Sequence, residues 1–144
     1  VLATAIKAGM TVHDLEDLEL AYAPPVGSAK DPVNLAGMVA QHVVHGDVRN
    51  AHWDELEDLL EKGHVLLDVR DTMERVDGCI EPSLHIPLPE LHERMQELPK
   101  ENEIIVYCQS GQRSYFACRQ LALRGYKVKN LSGAYKTWKM SRDI

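Results

Sequence analysis

Cys108-Gln109-Ser110-Gly111-Gln112-Arg113-Ser114 brings a thiol, a glycine, a guanidinium and two hydroxyls into one short stretch. A thiol reacts as its thiolate, and cysteines beside a helix start or a cation ionise most readily. Gly111 permits a tight loop whose N–H groups can converge on an anion. Arg113 adds a permanent charge on a planar fork. Gln109, Ser110, Gln112 and Ser114 supply further N–H donors around the same point. Together these residues suit a nucleophilic cysteine that meets anionic sulfur compounds and carries what it picks up. A buried, inert cysteine at a strand end is the plain alternative.

The flanks decide how such a loop would be held. Residues 103–107 are a short apolar run of strand character, and 115–124 read as a helix ended by Gly125. A strand leading into a helix leaves unpaired N–H groups and the positive end of the helix dipole at Cys108. Upstream, 48–51 reads as a short edge strand and 53–62 as a helix with Leu56, Leu59 and Leu60 on one face. Residues 64–69 form a continuous apolar run typical of a strand buried on both faces. Residues 84–88 read as another strand, 89–98 as a helix with Leu91, Met95 and Leu98 inward, and 127–131 as a strand before a final helical turn through Trp138. Strands alternating with helices predict an α/β domain with a mainly parallel sheet. Ligands gather beyond the carboxyl ends of such strands. Asp68, Arg70 and Cys108 all stand at strand carboxyl ends, so they could share one crevice. Asp68 is expected to accept hydrogen bonds from loop N–H groups. Arg70 and Glu74 could line the rim, although solvated charges are the default for both.

Residues 1–42 read differently. Residues 4–7 could close a helix stopped by Gly9, and 11–18 look like a capped helical turn. The passage Tyr22-Ala23-Pro24-Pro25 through Pro32 is extended and proline-rich. Residues 33–43 could be a helix with Leu35, Met38, Val39 and His42 on one side, a face that would rest on its own unit or on a second copy.

The chain has 144 residues, 26% of them charged, and a net charge of −6. That charge is uneven: residues 101–144 hold eight Lys and Arg against three acidic residues, whereas residues 1–100 hold eight against nineteen. The basic third contains the reactive loop but no dense basic cluster with interleaved aromatics, which argues against nucleic acid. No apolar run approaches membrane-spanning length, and no secretory leader is legible. The first residue is not methionine, which leads us to expect a longer parent. Cys79, Cys108 and Cys118 make neither an even disulfide framework nor a Cys-x-x-Cys pair, so a reducing, cytoplasmic setting is expected. Cys118 reads as a core residue. Cys79 could be a resolving thiol, with a spectator role the default. His42 and His45 are three apart, but no further ligand completes a metal site at the usual spacing.

Four motifs carry a family resemblance. Cys108-x-x-Gly111-x-Arg113-Ser114 resembles the active-site loop of rhodanese-type sulfurtransferases. Leu66-Leu67-Asp68-Val69-Arg70 resembles that family's Asp-Val-Arg strand end. Val76-Asp77-Gly78-Cys79-Ile80 with His85-Ile86-Pro87-Leu88, and Leu131-Ser132-Gly133-Ala134-Tyr135-Lys136-Thr137-Trp138, resemble two later segments in the same order. The likeness spans residues 43–144. Cys79 stands at the usual histidine, His85 at the usual asparagine and Ala134 at the usual second glycine. The resemblance implies a three-layer fold with a five-stranded sheet. It also implies transfer of a sulfane sulfur from thiosulfate, polysulfide or coenzyme A persulfide to a thiol or cyanide through a Cys108 persulfide.

A second resemblance covers residues 14–25 and 28–34, which are similar to the end of the dimerisation domain of FAD-dependent disulfide reductases, of the coenzyme A-disulfide reductase type. It implies a reductase–rhodanese fusion as the parent, pairing of copies through residues 1–42, and Tyr22 near a subunit interface. FAD and NAD(P)H would belong to the reductase portion, since this stretch has no Gly-x-Gly-x-x-Gly fingerprint. Two rivals remain. One is a sulfur or redox relay that does not turn over by itself. The other is a cysteine phosphatase or arsenate reductase, whose loops run seven positions from Cys to Arg where this one runs six.

Overall fold

The computed structural model describes residues 1–21 and 30–142. Residues 22–29 of the proline-rich passage, including Tyr22, Pro24 and Pro25, lie outside them, and its last residue, Pro32, opens a helix instead of continuing an extended run. The chain forms two compact units, Val1–Asp47 and Val48–Ile144.

In the first unit, α1 (Leu2–Ala8) ends at Gly9, and α2 (Val12–Glu16) starts at Thr11. The Thr11 hydroxyl accepts the Asp14 N–H at 3.2 Å while Asp14 accepts the Thr11 N–H at 2.7 Å. These reciprocal bonds satisfy two otherwise orphaned donors of a short helix. Helix α3 (Pro32–Val44) begins with Asp31 as its cap. Its inward face toward α2 is polar and small. The Asn34 amide donates to the carbonyls of Leu15, Glu16 and Leu18, the free ends left by α2. Gly37 is buried there, and a Cβ added to it would lie 2.7 Å from the Glu16 nitrogen. Of the expected face of Leu35, Met38, Val39 and His42, Leu35 and Val39 are exposed within this unit, as is Val43, whereas Met38 and His42 are half-buried. The close approach at Gly37 turns the exposed three outward.

The second unit is a five-stranded sheet: β1 (Asn50–Ala51), β2 (Val65–Asp68), β3 (Leu84–His85), β4 (Ile104–Tyr107) and β5 (Val128–Leu131). The order is β1-β5-β4-β2-β3 and every pairing is parallel. Helices α4 (Leu56–Glu61), α5 (Thr72–Val76), α6 (Leu91–Arg94), α7 (Gln112–Leu123) and α8 (Ala134–Arg142) complete it. Alternation along central β4 divides the core in two. Ile104, Val106 and Cys108 join Leu67, Leu91, Ala117, Cys118 and Leu121 on one face. Ile105 and Tyr107 join Leu56, Leu66, Leu131 and Tyr135 on the other. Each fully buried aliphatic side chain is worth about 1.5–3 kcal/mol against exposure.

Several expected elements are shorter or differently built. The 53–62 helix starts only at Leu56, and the run 84–88 pairs only at Leu84 and His85. Residues 89–98 are one α-turn flanked by 3-10 turns, Leu88–Glu90 and Met95–Glu97. The prolines at 87, 89 and 99 account for this, because a proline restricts the residue before it and removes a donor. Leu98 is accordingly extended before Pro99. Helix α5, absent from the sequence reading, follows β2. Helix α8 runs past Trp138 to Arg142.

Candidate active site at the Cys108 loop

Cys108 follows β4 directly, at the carboxyl end of the sheet's central strand. Its side chain is 1% exposed and rests on Ala117 and Cys118, so the apolar core walls one side of it. Its other contacts are polar. The Gly111 N–H donates to Sγ at 3.2 Å and the Ser114 hydroxyl at 3.4 Å. Gly111 takes φ 109°, outside the range that L side chains adopt readily, and this bends the loop back over the sulfur. Burial pushes the Cys108 thiol upward. The Ser114 hydroxyl and the N–H groups of Ser114, Gly111 and Ser110 more than offset it and hold the pKa below the ordinary 9.0. The loop is thus an anion cradle whose floor is hydrophobic.

The loop is fixed from three sides. From β5, the Asn130 amide donates to the Gly111 carbonyl at 3.4 Å, and its Oδ1 is the buried side-chain oxygen without a partner among the described residues. From α8, the N–H groups of Tyr135 and Lys136 donate to the carbonyls of Cys108 and Gln109, both at 3.0 Å. From the turn that follows β2, the buried Arg70 reaches Gln109 Oε1 at 3.5 Å.

Arg70 is 1% exposed, which corrects the expectation of a solvated charge. Its guanidinium meets Asp68 Oδ2 at 2.8 Å through Nη2 and donates to the Glu74 and Gly78 carbonyls. It also lies 4.2 Å over the Tyr135 ring, a cation–π contact. Asp68, with 0% exposure, accepts the backbone N–H of Arg70 at 3.0 Å, as expected of it, and also the Arg70 and Arg75 guanidinium groups and the Tyr107 hydroxyl. Burial alone would raise the Asp68 pKa, yet the Arg70 and Tyr107 bonds keep it lowered. Asp68 and Arg70 thus brace the loop from beneath and behind.

Arg113 is engaged too. Its Nη1 and Nη2 meet Glu74 Oε2 and Oε1, each at 2.6 Å, and Asp71 lies 3.6 Å away. The Glu74 pair raises the Arg113 pKa further and lowers that of Glu74. Gln109, Ser110 and Gln112 present their side chains at the rim, Ser110 and Gln112 exposed.

Of the other cysteines, Cys118 is buried, which pushes its thiol up to about 12. Cys79 donates to Glu81 Oε1 at 3.0 Å, and that carboxylate raises its pKa. Neither shares the activation of Cys108. His85, at the usual asparagine position, bonds the Arg70 carbonyl at 2.8 Å. Among the described residues no cluster of three His, Cys, Asp or Glu side chains could hold a metal, and no helix is long and apolar enough to cross a membrane.

Sequence reasoning named Cys108, its loop, Asp68 and Arg70, and the structure brings Arg70, with its partner Asp68, against Gln109 of that loop. That reasoning missed Asn130, which follows another polar residue, Lys129, on β5 and so does not stand out, although it is buried. It also missed the loop's bonding to Tyr135 and Lys136, which backbone atoms make and side-chain identity does not reveal.

A parallel sheet with a cysteine anion cradle after its central strand defines the class. Residues 52–141 match the Rhodanese-like domain, and the chain belongs to that family. A sulfurtransferase of Allochromatium vinosum is 40% identical over 75 residues, covering 51% of this chain and 70% of that protein. A thiosulfate sulfurtransferase of Coxiella burnetii is 31% identical over 90 residues, covering 62% and 84%. Two solved structures extend the likeness across 95% of the chain. Reduced Bacillus anthracis CoADR-RHD superposes with a TM-score of 0.90 at 49% identity. An NAD-dependent persulfide reductase from A. fulgidus gives 0.80 at 43%. The present chain spans only 25% and 24% of those two proteins.

Proposed function

We propose that this chain is a sulfurtransferase that carries sulfane sulfur as a Cys108 persulfide. The Cys108 thiolate attacks the outer sulfur of a donor, the donor's S–S bond breaks, and sulfite or a thiolate leaves with the bonding pair. Thiosulfate, polysulfide and coenzyme A persulfide all offer such a sulfur. A thiol or cyanide then attacks the outer sulfur of the persulfide and returns Cys108 as thiolate. The observation that carries this reading is the convergence of the Gly111 N–H and the Ser114 hydroxyl on a sulfur whose pKa stays lowered despite burial. The same donors would hold the terminal sulfur of the persulfide, which is also anionic. No general base is needed when the thiol is already ionised.

A second reading is a relay that hands sulfur to a reductase within one protein. The two longer structures favour it, since each carries about three times as much chain again. Their likeness covers 95% of this chain while the family match begins at residue 52, so it reaches well into the first unit. On this reading residues 1–42 are the tail of a reductase dimerisation domain, and exposed Leu35, Val39 and Val43 form the face through which two copies pair. FAD and NAD(P)H would bind the reductase portion and not this stretch. Three free thiols fit a reducing compartment such as the cytoplasm.

The test is single-turnover loading with thiosulfate, polysulfide and coenzyme A persulfide in parallel, read by intact mass. Wild type should gain one sulfur atom and C108S none; a C108S variant that still gains it refutes the assignment. Multiple turnovers with cyanide or a thiol identify an enzyme, whereas a halt after one loading identifies the relay.

A further inference from the structure

Arg113 is the cation that the loop itself carries, and its guanidinium senses Cys108 electrostatically. It does not face the cradle with its charge free. Both terminal nitrogens are spent on Glu74 in a two-point fork, the strongest geometry a carboxylate offers arginine. Glu74 is itself anchored, because Oε2 also accepts the Asp71 N–H at 3.0 Å at the start of α5. With Asp71 3.6 Å from Arg113, this part of the rim holds one cation against two carboxylates.

That balance treats the donors differently. Transfer from thiosulfate brings a dianion to the Cys108 thiolate and expels sulfite, also a dianion, so three negative charges gather during the step. Transfer from an alkyl hydropersulfide in its neutral form, R–S–SH, adds no charge to that of Cys108 and expels one thiolate, and even the ionised form, R–S–S⁻, brings one charge where thiosulfate brings two. The first needs a counter-cation beside the leaving group; the second is served by the loop's N–H groups.

We propose that Glu74 sets the donor class: by holding both arms of Arg113 it withholds the cation a sulfonate leaving group needs, so that Cys108 draws sulfur from hydropersulfides in preference to thiosulfate. This rests on the Cys108 reading above and adds a specificity-determining residue on α5, outside the loop.

The test compares wild type, E74Q and the double variant E74Q/R113M in the whole 144-residue chain. Glutamine keeps an acceptor for the Asp71 N–H while removing the charge. Second-order rates of Cys108 loading are measured with thiosulfate and with cysteine hydropersulfide. E74Q should raise the thiosulfate rate about tenfold, a change that added salt erodes, and leave the hydropersulfide rate within about twofold. E74Q/R113M should lose that gain. An unchanged ratio of the two rates overturns the proposal, and so does a parallel fall in both, which would mark Glu74 as merely structural. Wild type that takes sulfur from neither donor would instead overturn the Cys108 reading and this one with it.

Discussion

The Tyr107 hydroxyl donates to Asp68 Oδ2 at 2.8 Å between residues that stand opposite each other on β4 and β2. Burial pushes the Tyr107 pKa up to about 12, so the phenol remains a donor at any working pH. The same oxygen accepts the Ile80 N–H at 3.1 Å. The residue just before Cys108 thus ties two strands and the 78–83 segment together.

Replacing Tyr107 with phenylalanine strips Asp68 and the Ile80 N–H of a partner in a dry interior. Unfolding in urea should report a loss of about 1–3 kcal/mol, the usual cost of buried groups left unsatisfied.

Breaking the pair beneath it should cost more. D68N leaves Arg70 buried without its counter-charge, and about 3–5 kcal/mol of stability should go. The pH dependence follows from the lowered Asp68 pKa. Its folded value lies below the unfolded one, so its contribution is fully present above about 3.8 and is lost as pH falls through the folded value. Wild type should therefore lose stability below about pH 4, and D68N should show a flatter acid limb in equilibrium unfolding.

The three thiols should separate under a haloacetamide at neutral pH. Cys108 should label first, Cys79 slowly, and Cys118 only on unfolding, given its pKa near 12 and its burial. S114A should move the midpoint of the Cys108 pH–rate curve upward, because it removes a donor to the thiolate. A midpoint that stays in place would assign the activation to the backbone alone.

Ala134 is the non-glycine residue with positive φ, 50°, among those described, and it is fully buried. An L residue there costs about 1–2 kcal/mol, so A134G should raise the melting temperature where glycine substitutions usually lower it. A drop would show that the lost methyl packing outweighs the relieved backbone.

Much of the sheet was legible because its central strands are apolar runs: 65–67 and 104–107 have no charged residue to blur them. The site loop was legible for a local reason, a thiol, glycine and guanidinium within six positions. Helix α5 was missed because Met73 and Val76 point to solvent, both 76% exposed, leaving no apolar stripe to read. Its signal was Asp71-x-x-Glu74, a capping-box spacing. The fate of Arg113 was not legible, since its charge is spent on a partner distant in sequence, and that of Arg70 was not because, although Asp68 is only two positions away, the Tyr107 and Tyr135 rings beside it come from far along the chain. Glu74 lies 39 residues before Arg113.

Because Glu74 sits on the five-residue helix between β2 and β3, the partner that holds Arg113 stands on a different element from the strand that leads into Cys108. Substitutions on that helix could therefore release or tighten the Arg113 fork while leaving β4, Cys108 and the amides around its sulfur as they are.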